Sequence, residues 1–141
     1  MTREEIIALF TRRLEFWRSA DAASLAAAHA ADGTVYSPMF GAIVGRTSIQ
    51  ASYAQLFTVF QNWMIESSPL LVDGQRVAQF YTGHATHIGE VFGVQPTGRR
   101  IETHGVFYFE LSPTGEIQLE RRYYDFSAML IQLGALRPKP A

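Results

Sequence analysis

The chain has 141 residues, of which 48% are hydrophobic and 13% aromatic, a composition that suits one domain around one sizeable core. Its 12 basic and 13 acidic residues give a net charge of −1 without a basic stripe, which argues against nucleic acid or a membrane as partner. The lack of cysteine excludes disulfides and thiolate chemistry. The charged N-terminus and the lack of any run of about 20 apolar residues predict a soluble, cytoplasmic protein.

The first part of the chain has the pattern of two helices. Thr2 and Glu5 form a capping-box pattern, and apolar residues then recur at helical spacing as far as Trp17. Asp21 can cap a second, alanine-rich helix. His29 falls in the last turn of that helix, where a histidine usually interacts with the helix dipole.

A short strand and a third helix follow. Residues 34–37 are typical of a strand, which Pro38 ends. Thr47 and Gln50 form another capping-box pattern, which predicts the start of a helix. The apolar stripe of this helix is predicted to belong to the core and consists of Ile49, Tyr53, Leu56, Phe57 and Phe60.

The second half of the chain has the pattern of strands. Asp73 and Gly74 lie between two apolar runs and predict a two-residue hairpin that joins a strand near 63–72 to one near 75–88. After a long connection, a further strand is predicted near 100–111.

The last part of the chain combines a strand with a short helix. A turn at 112–115 leads into a strand that runs to Asp125, and a helix then continues to Gly134. We expect residues 135–141 to be a frayed tail of a single domain that spans residues 1–141. Helices followed by antiparallel strands predict an α+β fold in which a strongly curved sheet can enclose a pocket.

The final strand carries the first candidate for chemistry. Alternation places Asp125 on the same face as Ile117, so its carboxylate is expected to point into an apolar interior. A tight turn before this strand would place Tyr123 opposite His104 and Asp125 opposite Glu102. Burial and Glu102 would then raise the pKa of Asp125 toward the range useful for proton transfer, with His104 nearby.

Structural roles explain the same residues equally well. Asp125 is also well placed to cap the helix that starts at Phe126, and a lone strand histidine such as His104 is more often structural than catalytic. His84 and His87 lie three apart in a strand and therefore point to opposite faces, which excludes a metal site between them. The side chains that we expect to contact a substrate are Tyr36, Trp63, His87, Tyr108, Arg121 and Tyr123.

Three stretches carry a family resemblance. GHATHIGEVFGVQPTGRRIE and VFYFELSPTGEIQLERRYYD, followed by the QLG ending at Gly134, resemble the SnoaL-like polyketide cyclase group of the NTF2-like superfamily. The earlier SPMFGAIVGRTSI is similar to a turn and helix entry found across that superfamily.

The resemblance implies a cone-shaped α+β barrel, often a homodimer through the outer sheet face, with a cavity for a hydrophobic small molecule. It implies an aldol-type ring closure without cofactor or metal, in which the acid/base aspartate matches Asp125 by its distance from QLG. Ser37 precedes Pro38 where the related ketosteroid isomerases have an aspartate base, so their usual reaction is not expected. The Asp-Arg-Asp set of the limonene epoxide hydrolases has no counterpart here.

The function expected from the sequence is therefore acid/base chemistry, as in an aldol-type cyclase or isomerase, on a hydrophobic carbonyl substrate. In this hypothesis Asp125 is the acid/base and His104 assists it. The alternative is a non-catalytic domain that binds a hydrophobic ligand or a partner, and a third possibility is a dimeric domain whose cavity is filled by its own aromatic side chains.

Overall fold

One curved sheet and four helices make up the protein, and the computed structural model describes residues 1–140. The predicted α+β class is confirmed. The helices are α1 (Arg3–Arg18), α2 (Ala22–Ala27), α3 (Arg46–Val59) and α4 (Phe126–Leu133). The strands are β1 (His29–Ser37), β2 (Gly41–Val44), β3 (Phe60–Ser67), β4 (Leu71–Asp73), β5 (Arg76–His87), β6 (Arg100–Leu111) and β7 (Ile117–Tyr124).

The seven strands form a single sheet in the order β2-β1-β7-β6-β5-β3, and β4 pairs with the outer part of β5. All pairs are antiparallel except β1 with β7. Asp73 pairs with Arg76 across the predicted hairpin, which is confirmed. No helix within residues 1–140 is long and apolar enough to cross a membrane.

Local capping explains where two of the first three helices begin. The Thr2 hydroxyl accepts from the Glu5 amide while the Glu5 carboxylate accepts from the Thr2 amide, as the capping-box pattern predicted. Asp21 caps α2 through the Ser24 amide. The predicted capping box of α3 is wrong, because this helix has no side-chain cap and begins directly after Gly45. The backbone of Gly45 has a φ of 90°, a conformation that favours glycine.

Two strand boundaries also differ from the prediction. His29 begins β1 instead of ending α2, and its buried ring bonds the Leu25 carbonyl and the Glu120 carboxylate. The strand predicted near 63–72 is divided into β3 and β4, with Pro69 between them, because proline cannot donate to a sheet ladder.

A bulge in β7 decides which side chains face the interior. Leu111 pairs with Ile117, but the next pair is Glu110 with Leu119, so Gln118 is an extra residue in the ladder. Ile117 is buried, and after the bulge the buried positions shift to Glu120 and Arg122.

The core lies between the sheet and helices α1 to α3. The ring of Phe10 is 4.4 Å from that of Phe109, and Trp17 packs edge-on against Trp63 at 5.0 Å. All members of the predicted core stripe of α3 are buried, as expected, but Phe60 is the first residue of β3 and not part of the helix. Large aromatic side chains therefore fill most of the interior, and a cleft lies among them.

Candidate functional site

A mainly apolar cleft opens between the sheet, the β1–β2 turn and helix α4. It contains about 440 Å³ of space free of atoms, counting the part open to solvent. Its apolar walls include Trp17, Phe40, Leu56, Trp63, Phe107 and Met129. Its polar lining consists of Ser37, Tyr81, Thr103, Arg122 and Tyr124.

Arg122 is the charged group of the cleft. Its side chain is only 6% exposed, and its Nε donates to a Glu120 carboxylate oxygen at 2.7 Å. The guanidinium carbon lies 4.8 Å from the centre of the Tyr53 ring and 5.9 Å from that of Trp17. Its Nη2 is buried without a hydrogen-bond partner among the described residues. A ligand oxygen in the cleft would supply the acceptor that this nitrogen lacks.

Behind Arg122 lies a buried polar group that we call the Glu120 cluster, made of Arg13, His29, Tyr53, Glu120 and Arg122. Glu120 Oε1 accepts from Arg13 at 3.0 Å, from His29 at 2.9 Å and from Tyr53 at 3.1 Å. Arg13 also donates to the Leu25 carbonyl. The cluster therefore joins α1, α3, β1 and β7, which fixes the position of Arg122.

The Glu120 cluster has more positive than negative charge. Burial by itself would raise the pKa of Glu120, but the guanidiniums of Arg122 and Arg13 outweigh it and hold this pKa well below its usual range. His29 has an oxygen atom near each ring nitrogen, the Leu25 carbonyl at 3.0 Å and Glu120 at 2.9 Å. One carboxylate thus faces two guanidiniums and an imidazole.

Two phenols supply neutral hydrogen-bond donors beside Arg122. Burial raises the pKa of Tyr81 and also that of Tyr124, so both remain protonated at neutral pH. The ring of Tyr81 stacks on Phe107 at 4.3 Å, which holds the phenol in place. Of the described residues that line the cleft, none carries a carboxylate or an imidazole. The cleft can therefore stabilise a negative oxygen but does not itself offer a carboxylate or imidazole base.

The predicted inward orientation of Asp125 is wrong. Its side chain is exposed and accepts from the Ala128 amide at 2.9 Å, which caps α4. The capping alternative is thus confirmed. The predicted position of His104 in the interior is also wrong. Its side chain is 68% exposed and contacts Glu102 at 3.3 Å and Thr82 at 3.1 Å. The predicted pairing of Tyr123 with His104 is wrong as well, since Tyr123 pairs with Val106.

Of the residues predicted to contact substrate, Trp63 lies in the cleft. His87 is buried outside the cleft lining, and its Nδ1 accepts from the Thr97 amide at 3.2 Å and lies 2.9 Å from the Thr97 hydroxyl. The other four lie on the outer face of the sheet or its edge, where the Arg121 guanidinium stacks on Tyr36 at 5.1 Å. Their predicted placement in the pocket is wrong. The bulge turns Arg121 and Tyr123 outward, whereas Tyr108 alternates with the buried Phe107 and Phe109 of β6. Tyr36 pairs with Arg121 and is 44% exposed. These four residues are Tyr36, Tyr108, Arg121 and Tyr123.

The sequence reasoning missed Glu120, Arg122 and Tyr124, which the bulge turns inward. A signal for the inner face was present in β6, where Phe107 and Phe109 alternate with more polar positions. Within residues 1–140, no group of three or more His, Asp or Glu side chains has the arrangement of a metal site.

Known proteins of similar sequence and structure support the fold described above. The family described as SnoaL-like polyketide cyclase matches residues 8–133. AclR from Streptomyces galilaeus, described as a hydroxylase candidate, is 25% identical with a TM-score of 0.83, covering 99% of this chain and 87% of AclR. A SnoaL-like polyketide cyclase candidate from Jannaschia sp. CCS1 is 19% identical with a TM-score of 0.76, covering 91% and 92% of the two chains.

A third structure extends the comparison to the wider superfamily. A protein from Catenulispora acidiphila with a ketosteroid isomerase-like fold, in complex with trimethylamine, is 19% identical with a TM-score of 0.77. The match covers 92% of this chain and 97% of that one. The predicted NTF2-like fold and the predicted family are both confirmed. No curated protein matches the sequence significantly.

Proposed function

Because the chain belongs to the family of SnoaL-like polyketide cyclases, we propose that it acts on a hydrophobic carbonyl compound bound in the cleft. The proposed reaction is of the aldol-cyclase or isomerase type, in which a carbon next to the carbonyl loses a proton to give an enolate. The observation that carries this proposal is the position of Arg122, whose unpartnered Nη2 is the charged donor in an otherwise mainly apolar cleft.

The polar groups of the cleft suit the oxygen of such an intermediate. Removal of the proton moves negative charge onto the carbonyl oxygen, and a fixed guanidinium in a dry site stabilises that charge. Tyr81 and Tyr124, both protonated, can donate hydrogen bonds to the same oxygen or return a proton. Arg122 cannot deprotonate and therefore acts as an electrostatic stabiliser only.

The proton acceptor in this proposal is water or a basic group of the substrate. Asp125 would have to leave the Ala128 amide before it could serve as a base. The acid/base roles of Asp125 and His104 are therefore not part of the proposal, and the substitution of Asp125 becomes a means of testing it.

Hydrogen exchange of a ketone tests the reaction. We would follow the loss of the α-proton signals of 2-tetralone in D₂O by ¹H NMR, with the wild type, Arg122→Gln and Arg121→Gln. Arg121 is the matched control because it is the next residue of the same strand but lies on the outer face. We expect the wild type and the control to exchange the α-protons faster than buffer without protein does. The exchange rate with Arg122→Gln should be about 10²-fold or more lower than with the wild type, which is the effect of losing one oxyanion donor.

Two results would contradict the proposed chemistry. Exchange that survives Arg122→Gln would remove Arg122 from the reaction. Exchange that is lost in Asp125→Asn but not in Arg122→Gln would restore the aspartate as acid/base. Asn can still cap α4, so this variant should fold normally.

Non-catalytic ligand binding is the second candidate function. It is favoured by the lack of a carboxylate or imidazole among the described cleft-lining residues, since a base is usually one of these. Trp17 and Trp63, the two tryptophans of the chain, both line the cleft, so their fluorescence reports its occupancy. Saturable quenching by 2-tetralone without any faster proton exchange would support this candidate over the enzyme.

A further inference from the structure

We infer that the cleft selects ligands whose oxygen is negatively charged, namely hydrophobic organic oxyanions such as carboxylates and ionised 1,3-dicarbonyl compounds, over their neutral isosteres. This inference rests on the proposed function in one respect, the use of the cleft as the binding site. It goes beyond that function by naming the charge state in which the ligand is bound.

Arg122 has a buried hydrogen-bond donor without an acceptor in the described part of the chain. Arg122 is buried, its Nε is occupied by Glu120, and its Nη2 has no acceptor among residues 1–140. The rings of Tyr53 and Trp17 lie near the guanidinium carbon, but a ring face is a weak substitute for an oxygen acceptor. A buried donor of this kind favours any ligand that places an oxygen next to it.

The charges around Arg122 do not cancel. Glu120 is the carboxylate of its cluster, and it is shared among Arg13, His29 and Arg122. The neighbouring phenols do not add negative charge, because burial raises the pKa of Tyr53, Tyr81 and Tyr124. The cluster therefore has an uncompensated positive charge.

The cleft offers few polar groups. Its walls are mainly aromatic and aliphatic, and Arg122 is only 6% exposed. Charges interact more strongly in such an environment than in water. A neutral carbonyl would gain one hydrogen bond from Arg122, whereas an oxyanion would gain that bond and also offset the excess charge. Of two ligands with the same shape, the cleft should therefore bind the negatively charged one more tightly.

A pair of matched ligands tests this inference. We would titrate the protein at pH 7 with 4-cyclohexylbutanoate and with 4-cyclohexylbutanamide, which differ in charge but little in shape. Quenching of the two tryptophans, excited at 295 nm where neither ligand absorbs, gives the two Kd values. We expect the carboxylate to bind at least about tenfold more tightly, the effect of one hydrogen bond to a charged group. Equal affinities, or tighter binding of the amide, would overturn the inference.

Two variants locate the source of the preference. Arg122→Gln should bring the carboxylate-to-amide ratio close to one, while Arg121→Gln should leave the ratio unchanged. A preference that survives Arg122→Gln, or that is lost in Arg121→Gln, would contradict the assignment to the cleft. If Arg122→Gln does not fold, the ratio measured with the wild type still decides whether anions are preferred.

A 1,3-diketone extends the test to enolates. The enolate of 2-acetyl-1-tetralone has its own absorption band, so its ionisation can be followed on the protein. We expect binding to lower the pKa of this diketone, and an unchanged or raised value would count against the inference. Oxyanion preference without exchange of 2-tetralone would refute the proposed reaction alone, and exchange without oxyanion preference would refute this inference alone.

Discussion

Replacement of Glu120 by glutamine tests the role of the Glu120 cluster in folding. The substitution keeps the shape of the side chain, but it places an amide donor where Oε2 accepts from Arg122 Nε at 2.7 Å and removes the negative charge that faces Arg13. Breaking a buried ion pair by removal of one partner costs about 3–5 kcal/mol, because the remaining charge stays buried. We expect a loss of this size in the free energy of unfolding.

Urea denaturation followed by circular dichroism measures the loss. With an m value of about 2 kcal/mol/M, a loss of about 4 kcal/mol moves the unfolding midpoint by about 2 M. Glu116→Gln is the matched control, because Glu116 is 45% exposed and pairs with Arg46 at 3.2 Å, where the Arg46 side chain is 42% exposed. Such a pair contributes about 0–1 kcal/mol. A loss in Glu120→Gln no larger than in the control would refute the reasoning.

The pH dependence of stability gives an independent check on Glu120. Its pKa is well below the usual range in the folded protein, so between the folded and unfolded pKa values the unfolded chain binds more protons. The stabilisation is therefore complete above the unfolded pKa of about 4.3 and is lost as the pH falls through the lowered folded value. Unfolding free energies measured from pH 6 downward should show this loss in the wild type and less of it in Glu120→Gln. Identical slopes would contradict the assignment.

Three further predictions concern local structure and assembly. Asp125→Ala should lose about 1 kcal/mol of unfolding free energy because it removes the cap of α4, whereas Asp125→Asn should lose much less. Gly105→Ala should lose about 1–3 kcal/mol in thermal denaturation, since its Cβ would meet the Tyr123 carbonyl oxygen. We also predict a homodimer through the outer sheet face, so Phe80→Glu, at a side chain 51% exposed, should shift the sedimentation of the dimer to that of a monomer.

Each of these has an outcome that counts against it. Equal stability of Asp125→Ala and the wild type would show that the cap contributes nothing. An unchanged melting temperature of Gly105→Ala would mean that β6 and β7 can separate at little cost. A wild type that sediments as a monomer, or a dimer that Phe80→Glu does not affect, would remove the outer face as the dimer surface.

Strand β6 could be located from the sequence because its pattern is local. Its alternation and the turn residues at 112–115 gave its bounds as 100–111, which the structure confirms. The same reasoning grouped Tyr108, His104 and Tyr123 on one face, and they do share it. That face is the outer one.

Glu120 and Arg122 were missed for a physical reason. A single bulge residue, Gln118, reverses the alternation of β7, and no propensity rule locates a bulge from one sequence. Glu120 and Arg122 also look like surface residues by type, since charged side chains are seldom buried unless paired. The pairing of Glu120 with Arg13 spans 107 positions of the chain and becomes visible only in three dimensions.

The most direct test of the central claim, that the cleft beside Arg122 is the ligand site, is a crystal structure with 4-cyclohexylbutanoate. We predict that the ring lies against Trp17 and Trp63 and that a carboxylate oxygen lies about 2.7–2.9 Å from Arg122 Nη2, the length of a charge-assisted hydrogen bond. A ligand bound only on the outer face, or one in the cleft with its carboxylate turned away from Arg122, would contradict the account.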